Sequence, residues 1–252
     1  MRYPSHANTQ HRLRRRTMFT RGVCILALFG LASCDLLDGS EKKAGAATAQ
    51  PKPLKLGAQG KASCKNLLLD DAEAEGTGIP AVDGRGGYWY TYADRSGSTV
   101  APNDPYRHAS NGAKGSKASA HVRGKLADDK IAYAGMGFHL AKSQMPYDLS
   151  SASGICFMAR GNGPVRVTLS DVNTVPEGGV CKNCYNSFGK DFELTAEWKE
   201  YCFKFGQLAQ SASWGDQMKA VAQDAVFGIS WSAMKHGADY ELWVDDIRLS
   251  CD

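Results

Sequence analysis

In one short run after another, apolar side chains recur at every second position, and a period of two commits a chain to strands rather than helices. The runs are Tyr88 to Tyr92, Val165-Arg166-Val167-Thr168-Leu169, Tyr201 to Phe205, Phe227-Gly228-Ile229-Ser230-Trp231 and Glu241 to Leu249. Clusters of Gly, Asn, Asp and Pro separate them, as turns require. Gly161-Asn162-Gly163-Pro164 is expected to close a hairpin between the strands around residues 155 and 165. Only Gln217 to Ala225 carries a helical spacing, with Met218, Val221, Ala222 and Ala225 on one face. Many short strands without alternating helices predict an all-β fold, an antiparallel sandwich or jelly roll.

The amino-terminal end speaks to the compartment. Arg12, Arg14, Arg15, Arg16 and Arg21 precede an apolar run, Val23 to Leu31, that is far too short to span a bilayer. The run closes on Leu31-Ala32-Ser33-Cys34, the pattern of a bacterial lipobox, so residues 1–33 read as a lipoprotein signal peptide and Cys34 as the lipidated residue. A diacylglycerol thioether plus an N-acyl chain anchors stably, since each buried methylene contributes roughly 0.8 kcal/mol. The alternative is an ordinary secretory signal that happens to end in Ala-Ser-Cys. Met18 is an alternative start that keeps one arginine, the apolar run and the lipobox. A twin-arginine signal fits less well, because Phe19 falls one position late. The folded part is expected outside the cytoplasm, in the periplasm or at the cell surface of a bacterium, with the leaflet left open: Asp35 resembles an inner-membrane retention signal, but that rule differs between lineages.

Without this leader the charge changes sign. Removing its six arginines from the 30 basic side chains leaves 24 against 26 acids, a net charge of minus two. Steering of nucleic acid or another polyanion is therefore a poor expectation. Residues 34–63 are rich in Ala, Gly, Lys, Gln and Pro and read as the lipidated cysteine and a flexible linker. The 29 residues behind Cys34 would reach roughly 30 Å root-mean-square. Residues 64–252 form one domain, long enough to bury a core and expected to act as a monomer.

Six cysteines fall in that domain, and an even number in an exported chain reads as disulfides. Cys64 opens it and Cys251 closes it, so a bridge between them would tie almost the whole domain into one loop. Such a loop is worth on the order of 5 kcal/mol at most. Cys156 and Cys202 alternate with apolar neighbours, so both point off the core face and can bridge adjacent strands. Cys181 and Cys184 are the remaining pair. A zinc knuckle of Cys181, Cys184 and Cys202 lacks a histidine to complete it, and no βαβ pattern supports a thioredoxin-like role for the Cys-x-x-Cys.

Four segments carry a resemblance. Glu197-Trp198-Lys199-Glu200-Tyr201-Cys202-Phe203-Lys204-Phe205 resembles the W-x-x-Y-x-x-x-F strand of galactose-binding-like jelly-roll carbohydrate-binding modules. Glu241-Leu242-Trp243-Val244-Asp245-Asp246-Ile247 is similar to their closing strand. Asn66 to Glu73 resembles their opening strand, with Ala72 where phenylalanine is usual. Gly86-Gly87-Tyr88-Trp89-Tyr90-Thr91-Tyr92 with Asp94 resembles the G-x-W-Y-x-Y-x-D strand of the family 11-like group. The resemblance covers nearly all of residues 64–252 and implies a jelly roll that binds a polysaccharide or cell-envelope glycan without changing it. It also implies a structural calcium, for which the opening and closing strands offer Asp71, Glu73 and Asp245. Trp243, Asp245 and Ile247 would share one face, making Asp245 a carboxylate on an apolar side, costly unless paired or metal-bound. The alternative is that these acids are solvated strand ends and that Asp245 accepts backbone hydrogen bonds.

A sugar-binding surface needs flat aromatic faces and fixed planar polar groups. With Val165, Val167 and Leu169 in the core, Arg166, Thr168 and Ser170 turn outward; Lys204 and Ser230 turn outward by the same reasoning, and Arg160 joins that face through its hairpin. In the tyrosine strand, Tyr88, Tyr90 and Tyr92 form one stripe and Trp89 the other, and the sequence does not say which is buried; the tyrosines are preferred as the presented stripe, the equal alternative being that they are half-buried core with satisfied hydroxyls. Trp198, Trp231 and Trp243 read as core, whereas Trp214, in a Ser-Trp-Gly loop, reads as a ligand platform.

Catalysis finds little support. The paired carboxylates of a glycosidase strand motif, a Gly-x-Ser-x-Gly elbow and a His-Glu-x-x-His helix are all missing from the sequence. His108, His121, His139 and His236 are scattered, and His139 reads as a strand-face residue rather than a base. The competing reading is a structural or protein-interaction lipoprotein; a binder is distinguished from it by a sheet face lined with aromatic and planar polar groups, a scaffold by a flat apolar patch.

Overall fold

A computed structural model describes residues 56–103 and 106–251. Cys34, the signal peptide and most of the linker lie outside the described residues. Among the described residues eleven strands make two antiparallel sheets. In chain order they are β1 (Leu68–Asp70), β2 (Trp89–Ala93), β3 (Ala109–Ser110), β4 (Ala118–Lys125), β5 (Ala134–His139) and β6 (Gly154–Gly161). Next come β7 (Pro164–Asp171), β8 (Phe188–Glu193), β9 (Lys199–Lys204), β10 (Val226–Ala233) and β11 (Asp239–Ser250). One sheet runs β3-β4-β11-β6-β9 with β1 also paired to β11, and the other runs β2-β5-β10-β7-β8. The architecture is the all-β jelly roll that the alternation predicts.

The core lies between the sheets, with a cluster of aromatic rings among its aliphatic side chains. Trp89 stacks on Trp231 with ring centroids 5.8 Å apart, and Phe138 and Phe157 close around them at 4.8 and 5.5 Å. Inward positions alternate with outward ones along β7, where Val165, Val167 and Leu169 are buried and Arg166, Thr168 and Ser170 are not. Disulfides join Cys64 to Cys251, Cys156 to Cys202 and Cys181 to Cys184. The second crosses β6 and β9, where the two cysteines are direct partners in register.

Five expectations need correction. The strands around 155 and 165 do not form a hairpin, because β6 and β7 belong to different sheets. Asn162 instead pairs with β11: its side-chain oxygen accepts the Glu241 amide at 2.8 Å. Gln217 to Ala225 holds one 3-10 turn, Gln223–Ala225, and no α-helix. Side chains capture the amides a helix would use, Met218 N donating to Gln210 Oε1 and Ala222 N to Asp171 Oδ2. Residues 59–63 are not tether: Ala62 is buried and its amide donates to Asp148 O at 2.7 Å. Trp243 and Ile247 do not share a face, since the pairing with β6 shifts between Asp245 and Arg248, and Asp246 there has φ 49°. Before this bulge Leu242 and Val244 face the core, and after it Ile247 and Leu249 do; Asp245 is buried at the switch and Trp243 faces outward, half-buried. Trp198 is likewise half-buried rather than core, and only Trp231 of the three is fully enclosed.

Candidate functional site

On β2 the two stripes separate as the side chains demand. Trp89 enters the core, and Tyr90 and Tyr92 lie half-buried on the outer face of the five-stranded sheet. Register places the outward residues in rows: Tyr92, Gly135, Ser232, Arg166 and Asp191 in one, and Tyr90, Gly137, Ser230, Thr168 and Gly189 in the next.

The glycines of β5 make room for the phenol rings. A Cβ on Gly135 would meet the Tyr92 hydroxyl oxygen at 2.9 Å, and one on Gly137 would meet that of Tyr90 at 3.0 Å. Both tyrosines therefore lie across the neighbouring strand with their hydroxyls over its backbone. Tyr92 Oη sits 2.8 Å from Ser232 Oγ and donates to Trp231 O at 3.2 Å. Tyr90 packs on His139 at 4.7 Å, Tyr88 meets the same imidazole edge-on at 5.1 Å, and Gln144 Nε2 donates to Tyr88 Oη at 2.8 Å. Asp94 fixes the end of the strand, accepting the Tyr133 amide at 2.6 Å and the Ser98 hydroxyl at 2.5 Å.

Burial raises the pKa of Tyr90 and Tyr92 and lowers that of His139, so near neutral pH these groups carry no charge. Thr168 Oγ1 and Ser230 Oγ are linked at 2.7 Å. Arg166 is engaged within the protein, its NH1 on Asp191 Oδ1 at 2.6 Å and its NH2 on Ala209 O at 2.5 Å. The face is thus aromatic and hydroxylic, with its one guanidinium already neutralised.

Trp214 stands on a loop beside this sheet, 51% exposed. The loop is braced: Asn186 Nδ2 donates to Trp214 O at 2.7 Å, and Asp216 Oδ2 accepts the Lys182 amide at 2.6 Å. Tyr185, 65% exposed next to the Cys181–Cys184 bridge, is held by its amide, which donates to Thr174 O at 2.7 Å. Sequence reasoning missed Tyr185, Gly135 and Gly137 as parts of the surface. The alternation Gly135-x-Gly137-x-His139 was the available signal.

Arg160 and Lys204 do not join the tyrosine face. They sit on β6 and β9 of the six-stranded sheet, and the absent hairpin is the reason.

The acids divide differently from expectation. Glu73 Oε1 accepts from Ser116 Oγ, Lys117 N and Ala118 N at 2.6 to 3.0 Å. Asp245 accepts the amides of Ala113 and Asp246, each at 2.7 Å. Among the described residues no three acids, histidines or cysteines are gathered as a ready ligand set. Asp70 is the exception to full satisfaction: it is fully buried, and its Oδ1 has no hydrogen-bond partner. Burial pushes both Asp70 and Asp245 up to about 6, and Asp71 and Asp245 raise Asp70 further. An unpartnered buried carboxylate oxygen is the kind of group that a hard cation would satisfy. Asp71, next after the opening strand, and Asp245, on the closing strand, are not gathered with Asp70 as a ligand set, and Glu73 Oε1 is engaged by Ser116, Lys117 and Ala118.

The fold is that of the carbohydrate-binding modules of jelly-roll class. It resembles the family 11 carbohydrate-binding module of the cellulosomal cellulase Lic26A-Cel5E of Clostridium thermocellum, at TM-score 0.53 and 15% identity, covering 73% of this chain and 94% of that one. The solution structure of CtCBM11 is similar at TM-score 0.50, 15% identity and the same coverage. No family model matches the sequence, and no curated protein does.

Proposed function

We propose that the chain is a non-catalytic glycan-binding module, presented from a bacterial membrane by a lipid on Cys34, with a neutral polysaccharide or cell-envelope glycan as its ligand. The observation that carries this reading is the tyrosine face: Tyr90 and Tyr92 laid over Gly137 and Gly135, beside a row of hydroxyls. Sugar rings stack their C–H faces on such phenols, while Ser230, Thr168 and the tyrosine hydroxyls bond sugar hydroxyls. The absence of net charge on these side chains favours a neutral ligand. The likeness in fold to carbohydrate-binding modules supports the same reading, although a fold alone does not carry a ligand. Trp214 stands as a platform at the margin, and calcium at the open oxygen of Asp70 as a brace beneath the tyrosine strand. The module acts as a monomer.

A glycan-array screen of the full chain in non-ionic detergent tests this. Binding to a neutral polysaccharide, weakened in Tyr90→Ala, is the expected result. No glycan bound at all would favour the protein-interaction reading.

A further inference from the structure

We propose that the outer face of the six-stranded sheet is a second binding site, centred on Arg160, for the carboxylate of an acidic, uronate-bearing glycan. This site is separate from the tyrosine face and does not depend on it.

Arg160 is held between two indoles. Its guanidinium carbon lies 4.4 Å from the ring centroid of Trp243 and 5.1 Å from that of Trp198. The other side of Trp243 is covered by His121, stacked at 3.6 Å and 19°. His121, Trp243 and Arg160 are direct partners in register across β4, β11 and β6.

Among the described residues no acid and no hydrogen-bond acceptor answers the guanidinium. Among the described residues Arg160 makes no ion pair and no hydrogen bond, and its Nε and the Trp198 indole N–H are buried without partners. The carboxylate two positions along β11, Glu241, is held by His121 Nε2 at 3.0 Å. What remains open is the terminal fork, fixed in direction by two rings. Such a fork suits a carboxylate, which accepts two parallel N–H bonds, and the ordering cost of the arginine has already been met in the fold.

The neighbouring row supplies hydrogen-bonding groups for the rest of a sugar. Arg123, Glu241 and Asn162 stand two residues along from His121, Trp243 and Arg160, roughly 7 Å away. They line a groove of about 470 Å³ with Lys125 and Asp239. The groove supplies hydrogen-bonding groups of both signs. A hexuronate could place its carboxylate on the Arg160 fork, a C–H edge against Trp198 and its next unit's hydroxyls on Asn162 and Arg123.

The test uses the full chain in non-ionic detergent, with trigalacturonate as probe and its carboxyl-reduced form and a glutamate tripeptide as controls. Calorimetry should find trigalacturonate binding, weakened at least tenfold in Arg160→Gln and in Arg160→Lys, and unchanged in Tyr90→Ala. The indole N–H resonances of Trp198 and Trp243 in the unmodified chain should shift on titration, a readout that stands even if the arginine variants fail to fold. No binding of trigalacturonate, equal binding of the reduced form, tighter binding of the peptide, unmoved indole signals or full binding by a folded Arg160→Gln variant would each overturn the proposal. Loss of neutral-glycan binding in Tyr90→Ala with trigalacturonate binding retained would show that the two faces are independent.

Discussion

The indole N–H of Trp89 donates to Asp70 Oδ2 at 2.7 Å, and both residues are buried. One bond thereby ties the opening strand to the tyrosine strand. It holds Trp89 inward, which leaves Tyr90 and Tyr92 to face out. It also satisfies only one oxygen of a buried carboxylate whose neighbours are Asp71 and Asp245.

Calcium at the open oxygen of Asp70 makes the first prediction. Chelation of the calcium-equilibrated chain should lower its melting temperature. Asp245→Ala should remove that sensitivity and cost stability, since it strips the partner from the amides of Ala113 and Asp246; an unsatisfied buried group costs about 1–3 kcal/mol. Asp70→Asn keeps an acceptor for the indole and removes a charge, so it should also abolish the chelator effect. An unmoved melting curve would leave these acids with a purely structural role.

The disulfides give the second. Non-reducing peptide mapping should recover Cys64 with Cys251, Cys156 with Cys202 and Cys181 with Cys184, and no free thiol in the domain. Changing Cys64 and Cys251 together to serine should cost about 2–5 kcal/mol in a denaturant melt, the usual range for a native bridge. Stoichiometric zinc would contradict the third pair.

The fold was legible where strands bury large side chains. Val165, Val167, Leu169, Ile229 and Trp231 announce β7 and β10 by period alone, and all are buried. β5 was not legible, because its outward residues are Gly135 and Gly137, whose lack of side chains is a response to tyrosines on another strand. β4 hides its period behind small residues, Ser119 and Ala120 both buried and adjacent. Local pattern also says nothing about which sheet a strand joins, and that is how Arg160 was placed beside Arg166. The bulge at Asp245 and Asp246 reverses the faces of the closing strand midway, so a strict period of two misassigns Trp243. Which stripe of the tyrosine strand is buried was open in the sequence, and the structure settles it by burying Trp89 and leaving Tyr90 and Tyr92 half-buried.

Anchoring makes the third prediction. Cys34 lies outside the described residues, and its lipidation rests on the Leu31-Ala32-Ser33-Cys34 pattern. Cys34→Ala should leave an unprocessed precursor without palmitate label in a bacterial host. Continued labelling of that variant would remove the lipoprotein reading.

The fourth concerns the tyrosine face, where the structure distinguishes two substitutions that the sequence treats alike. If the proposed role holds, Tyr90→Ala removes the stacking ring and leaves an open patch over Gly137, so binding to a neutral glycan should fall markedly while the melting curve changes little. Arg166 has its guanidinium on Asp191 and on the carbonyl of Ala209. Its loss should weaken binding indirectly, by loosening the 209–217 segment that carries Trp214, and Arg166→Ala should therefore raise backbone exchange in that segment where Tyr90→Ala does not. Unmodified affinity should be modest, with dissociation constants between micromolar and millimolar, worth about 4–8 kcal/mol, because an open face buries little ligand area and must desolvate polar groups to bind. Titration calorimetry with the glycan found by the screen, together with hydrogen exchange, measures both effects. Unchanged binding in both variants would move the ligand away from this face, with Trp214→Ala the next substitution to measure.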